Sequence, residues 1–176
     1  DFYGAFGQNF SLQQRRTPEQ RKKQSSEISH GRQLISEVRM SPEEMRQRAI
    51  ELFKKRFHCS QAVLAAGQEK MNRVNADVIK SMGSYGGGIA SSGKVCGALL
   101  GGVALISSLY SRGTLEEKED PRMWFLSRKL AKRVEELTQP YGSMNCRDIA
   151  QVDWHDHKAV KNFYTHPESR RTHCIR

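Results

Sequence analysis

The chain has 176 residues, 29 basic against 19 acidic, a formal net charge of +10, and four cysteines. That length suggests one domain, large enough to bury a core without disulfide staples or structural metals, so the cysteines are not needed to hold the fold together. No charged, apolar, then small-residue order opens the chain as a secretory signal would, and the expectation is a cytoplasmic protein whose thiols stay reduced rather than a disulfide framework.

Residues 1–40 read differently from the rest. Phe2, Tyr3, Phe6 and Phe10 lie among glycine and glutamine, and a polar run from Gln13 to Ser26 follows without apolar periodicity. This is the pattern of a flexible basic arm or an upstream extension, because Met40-Ser41-Pro42-Glu43-Glu44 looks like a natural start. The expected domains are therefore the arm, 1–40, and a helical four-cysteine domain, 41–176.

From Ser41 onward the signals are helical. Ser41 is placed to cap a helix, with Pro42 in its first turn and Glu43-Glu44 at its positive end. Met45, Ala49, Leu52, Phe53 and Phe57 recur at helical spacing. His58-Cys59-Ser60 leads into Ala62–Ala66, and Asn75-Ala76-Asp77 opens a short helix through Met82. The segment Gly83–Gly93 is rich in glycine, and Lys94 to about Ser111 is the most apolar piece of the chain. Pro121 opens a further helix on which Trp124, Phe125, Leu130, Val134 and Leu137 mark the expected core face, ended by Pro140 and Gly142. Asn145 is a candidate cap for a helix at Cys146–Ile149, and Asp153 or Asp156 for one through Phe163. No alternating strand pattern exceeds four residues, and no repeat is present. The expectation is an all-α, compact bundle of about five to seven helices with a flexible N-terminal arm.

Val95–Ser111 carries no charge, yet it is shorter than the roughly 20 residues of a membrane span and includes Gly97, Gly101 and Gly102. It reads as a buried core helix, with no transmembrane span in the chain. The Gly97/Gly101 pair would let another backbone approach closely, and makes a homodimer one possible arrangement.

The cysteines sit in telling places. Cys96 begins the apolar helix beside Lys94, Cys146 follows Asn145 and precedes Arg147, and Cys59 lies at a helix junction beside His58. Helix N-termini and neighbouring cations both favour thiolate, the form that attacks disulfides and binds metals. No CxxC, zinc-finger or haem-attachment spacing occurs, so spacing alone does not define a site.

Cys96-Gly97-Ala98-Leu99-Leu100-Gly101, with Cys59 in CSQAVL, Cys146 in NCRDI, Cys174 last and Gly86–Ile89 before the motif, resembles the C_GCAxxG_C_C family of redox-active proteins across about residues 45–174. The resemblance implies a helical domain related to the non-haem part of the split-Soret cytochromes. It implies redox or iron–sulfur chemistry at Cys59, Cys96, Cys146 and Cys174, with Gly97, Ala98 and Gly101 beside the cofactor. The chain departs from the family pattern in its basic arm and in ending two residues after Cys174.

Two forms of that chemistry stay open. The four thiolates hold an iron–sulfur cluster, [2Fe–2S] being the preferred form, or they act as a dithiol/disulfide relay; a redox partner protein of unknown identity is implied by either. The competing reading is a basic helical binding module for an acidic protein partner or nucleic acid, with no redox role. Nucleic acid is disfavoured because no aromatic residues interleave the basic run. Trp154-His155-Asp156-His157 offers two histidines two apart, which point to different sides of a helix, so both read as surface residues.

Overall fold

The computed structural model describes residues 40–175, and the arm of residues 1–39 lies outside the described residues. Eight α-helices follow in order: α1 (Pro42–Lys54), α2 (Cys59–Lys70), α3 (Ala76–Ser81), α4 (Gly97–Tyr110), α5 (Arg122–Thr138), α6 (Cys146–Ala150), α7 (His157–Thr165) and α8 (Arg171–Cys174). Short 3-10 turns lie at Gly83–Tyr85 and Gln139–Tyr141. The class is all-α, as the sequence indicates. The count exceeds seven by the single turn α8, which the polar C-terminus does not advertise.

Local chemistry sets the boundaries. Ser41 caps α1 in a capping box with Glu44, whose carboxylate accepts the Ser41 N–H at 2.6 Å, so two otherwise unsatisfied donors are met at once. Asn75 caps α3 through the N–H groups of Asp77 and Val78. Of the two aspartates expected before α7, Asp156 is the cap, accepting from Lys158 and Ala159. Asn145 does hold the cap position of α6, but its side chain makes no capping bond. The first N–H groups of α6 go instead to backbone, Cys146 to the Lys94 carbonyl and Arg147 to that of Gly93, while Ser143 accepts the Asn145 N–H and donates to the Asp148 carboxylate.

The centre of the fold is the pairing of α2 with α4. Ala62, Leu64, Ala65, Ala66 and Gly67 of α2 are buried, as are Gly97, Leu99 and Gly101 of α4. A Cβ on Gly101 would lie 3.0 Å from the Ser60 carbonyl carbon and 3.1 Å from its Cα, and closer still to the carbonyl oxygen. The glycines therefore serve close approach, whose packing offsets their cost of about 1 kcal/mol each in helix propensity. Ser60, fully buried at this contact, donates its hydroxyl to the Met82 carbonyl at 2.7 Å and fixes the end of α3 against α2. The Arg48 guanidinium bridges α1 to α2 by gripping both Glu69 oxygens, at 2.6 and 3.0 Å.

α5 packs on the other side of α4, with Leu130 against Gly102. Its inward face is Met123, Leu130, Val134 and Thr138, and it corrects the expected stripe. Trp124 and Phe125 are 57% and 64% exposed, and Leu137 is 56% exposed. The helical period that starts at buried Met123 runs through Leu126, Leu130 and Val134, which leaves residues 124 and 125 rotated off the core. The Trp124 indole is satisfied at the surface by Glu119, at 2.7 Å. No helix among the described residues is long and apolar enough to cross a membrane.

Candidate functional site: a four-thiol cavity

Each cysteine is delivered by a different helix. Cys59 is the first residue of α2, Cys96 the N-cap of α4, Cys146 the first residue of α6 and Cys174 the last of α8. Cys96 and Cys146 are brought together by one antiparallel bridge, Val95 opposite Asn145. The Cys96 N–H donates to the Met144 carbonyl at 3.0 Å and the Cys146 N–H to that of Lys94 at 2.7 Å. In such a ladder residues 96 and 146 both follow the paired residues, so their side chains leave on the face opposite Val95 and Asn145. This bridge joins segments fifty residues apart, and no local pattern announces it.

The glycine-rich segment forms the second wall. Gly87, Gly88, Ile89, Ala90 and Ser91 all have φ between +50° and +75°, a left-handed turn that costs about 1–2 kcal/mol for each residue with a side chain. Bonds from Ala90 to the Ser84 carbonyl (2.6 Å), Gly93 to Gly87 (2.9 Å) and Lys94 to Gly88 (3.1 Å) hold it. A Cβ on Gly88 would sit 2.6 Å from the Lys94 nitrogen and 2.8 Å from Cys146 Cβ, so only glycine lets the turn close over Cys146. The Gly87 N–H meets the Cys59 sulfur. Gly97 makes the room for that sulfur, since a Cβ there would lie 2.7 Å from Cys59 Sγ and 2.7 Å from the Tyr85 carbonyl oxygen.

All four cysteines line one cavity of about 40 Å³, together with Phe53, His58, Ala98, Ile149, Trp154, Phe163 and Tyr164. At about 10–15 Å³ for each water-sized group, it has room for a few atoms and none for a larger organic substrate. Of the three residues the motif suggests beside a cofactor, Ala98 lines the cavity. Gly97 and Gly101 are turned toward α2, where they set the distance between helices. Phe53, Trp154, Phe163 and Tyr164 are cavity residues that motif reasoning misses. The aromatic content of α7 is visible in the sequence, but its position over the thiols is not.

At Cys59, Cys146 and Cys174 burial works against the thiolate form. Desolvation, then the neighbouring Cys96, push the Cys59 thiol up to about 11 from an ordinary 9.0. Desolvation, then Cys59 and Cys96, push Cys146 up to about 12. Cys174 is raised as well, by desolvation and then by the other three thiols, with Arg171 opposing. As a whole residue Cys174 is exposed, and solvent contact limits the rise. The helix N-termini are present, but burial outweighs them. The expected cations are also employed elsewhere. Lys94 is exposed, and Arg147 sends its guanidinium to the carbonyls of Gly93 (3.3 Å) and Ser92 (3.1 Å), clamping the glycine turn.

Cys174 is held by the C-terminal segment. Arg171 lies over the rings of Phe53 (4.9 Å) and Tyr164 (5.3 Å) and donates to the Phe53 carbonyl at 3.2 Å. His173 stacks on Tyr141 at 5.0 Å, and Arg46 donates to the Ile175 carbonyl at 3.1 Å. His155 and His157 are exposed. Among the described residues no three Cys, His, Asp or Glu side chains stand close enough around one point to hold a single metal ion.

A helical protein with four free thiols around one small apolar cavity is the class that this fold and site define. Residues 57–176 match the family described as "Putative redox-active protein (C_GCAxxG_C_C)", and the chain belongs to that family. It is also similar to an uncharacterized protein of Archaeoglobus fulgidus, 30% identical over 113 residues that cover 61% of this chain and 74% of the relative. No solved structure matches the chain.

Proposed function

We propose that the protein transfers electrons through an iron–sulfur centre held by Cys59, Cys96, Cys146 and Cys174, of [2Fe–2S] type on the thiolate count. The observation that carries this reading is the delivery of one thiol from each of four helices to one small, apolar cavity. The donor set fits such a group in size and in charge. The cavity accepts a few atoms and excludes a bulky substrate. The thiols disfavour one another's ionisation, and Arg171 offsets this only in part, at Cys174. Cys59, Cys96, Cys146 and Cys174 would hold a thiophilic metal as thiolates, whose charge the metal would balance. Two irons would share the four thiolates, a different demand from that of a single ion.

The same facts count against Cys59 and Cys146 as the attacking thiols of a relay. Exchange requires a thiolate, and groups raised to about 11 and 12 carry little of it at neutral pH. When bound, the centre supplies one-electron chemistry. The chain's own contribution is to exclude water with Phe53, Ile149 and Phe163, and to meet the sulfurs with N–H donors such as that of Gly87.

The reading is tested by replacing each cysteine with serine and reconstituting anaerobically with iron and sulfide. The expected result is a visible charge-transfer spectrum in the parent that each replacement weakens or abolishes. A spectrum unchanged by Cys59→Ser, Cys96→Ser and Cys146→Ser together would place the iron elsewhere and sink the proposal.

A further inference from the structure

The indole nitrogen of Trp154 is buried and has no well-formed hydrogen bond, an uncommon condition for a buried donor. The ring does not lack support. It stands edge-on to Phe163 at 5.1 Å and 73°, lies 6.5 Å from Tyr164, and packs on the cluster of Cys146, Ala150 and Phe163. The turn that carries it is fixed by the Asp156 N–H to the Asp153 carbonyl at 3.2 Å and the His155 N–H to the Asp153 carboxylate at 2.9 Å. Trp154 and Cys146 line the same wall of the thiol cavity. Packed against Cys146, the indole N–H favours that residue's thiolate; sulfur is a weak acceptor as a thiol and a much stronger one when electron-rich.

We propose that the Trp154 indole N–H is a built-in donor to the Cys146 sulfur and raises the electron affinity of the redox group to which Cys146 belongs. The argument is about charge. Adding an electron increases negative charge on the sulfurs, and a preorganised N–H aimed at one of them stabilises the reduced state more than the oxidised state. Trp154 is thus a positioning residue for reduction potential, and its aromatic body serves the packing. As applied to an iron–sulfur centre, the inference rests on the function proposed above.

Trp154→Phe keeps the ring contacts with Phe163 and removes the donor. Trp124, the other tryptophan of the chain, pairs with Glu119 at the surface, so Trp124→Phe is the control. In equilibrium redox titration the expected result is a lower midpoint potential for Trp154→Phe, by up to tenfold in the reduction equilibrium constant, about 59 mV for a one-electron couple. Trp124→Phe should leave the midpoint in place, and both variants should remain folded by circular dichroism. In iron-free protein labelled with indole ¹⁵N, the Trp154 N–H resonance should be protected from solvent exchange and should shift in Cys146→Ala. A potential unchanged in Trp154→Phe overturns the tuning role, and a Trp154 resonance indifferent to Cys146→Ala overturns the contact. A parent protein that takes up no iron defeats the cluster reading but leaves the resonance test intact, so the two failures are distinguishable.

Discussion

Replacing Gly101 by alanine probes the contact on which the site is built. The new Cβ would meet the Ser60 carbonyl carbon at 3.0 Å, its Cα at 3.1 Å and its oxygen closer still, whereas ordinary contact begins near 3.4 Å. All three atoms are backbone, so no side chain can rotate away, and α4 must retreat from α2 by roughly 1 Å. Overpacking of this kind costs about 1–3 kcal/mol, and a backbone obstacle favours the upper end. Alanine returns about 1 kcal/mol of helix propensity. The net expectation is a loss of about 2 kcal/mol, a fall in Tm of about 4–8 °C for a chain of this size. Thermal unfolding followed by far-ultraviolet circular dichroism measures it. Gly113→Ala is the control, because its nearest neighbour is the flexible Glu117 carboxylate at 3.6 Å. Since α4 carries Cys96 and α2 carries Cys59, the retreat should also weaken iron uptake. A Gly101→Ala protein as stable as the parent would refute the reasoning that glycine sets this helix spacing.

Three other predictions address the walls of the cavity. In the metal-free, reduced protein, unfolded thiols ionise near the ordinary 9.0 while Cys59 and Cys146 wait until about 11 and about 12. The unfolded state therefore gains on the folded one as pH rises from 9 to 12, and stability should be flat below pH 8 and fall across that window. Denaturant midpoints against pH check this, and a midpoint rising through the same window would contradict it. Arg147→Ala removes two bonds to the glycine turn, at 3.3 and 3.1 Å. It should cost about 1–2 kcal/mol and speed amide exchange across residues 86–94, where unchanged exchange would count against the clamp. Arg171→Ala removes two ring contacts and a carbonyl bond, a loss of about 1–2 kcal/mol. Alkylation at Cys174 should then quicken relative to the other thiols, and an unchanged ratio would show that the segment is held by other means.

The helices of this protein are written locally. Ser41, Pro42 and Glu44 spell out the start of α1, Asn75 that of α3, and the glycines of α4 declare a close neighbour. The site is legible in part for the same reason, because Cys59, Cys96 and Cys146 lie at helix starts that sequence can locate. What sequence does not carry is long-range: the Val95–Asn145 bridge that sets Cys96 near Cys146, and the placement of α7 aromatics over them. It also misleads on charge. Lys94 and Arg147 adjoin cysteines in sequence, yet one is solvated and the other is turned to backbone carbonyls, and burial raises the Cys146 thiol despite its cationic neighbour. Trp124 and Phe125 show the limit of reading a stripe by composition, since a rotation of one residue along α5 decides which side chains reach the core.

The central claim is most directly tested by measuring iron and acid-labile sulfide in protein prepared and reconstituted without oxygen, alongside its visible spectrum. The account predicts about two irons and two sulfides per chain, lost together when Cys59, Cys96, Cys146 or Cys174 is replaced. A colourless, iron-free protein whose four thiols interconvert reversibly with disulfides would contradict it and assign the cavity to thiol exchange instead.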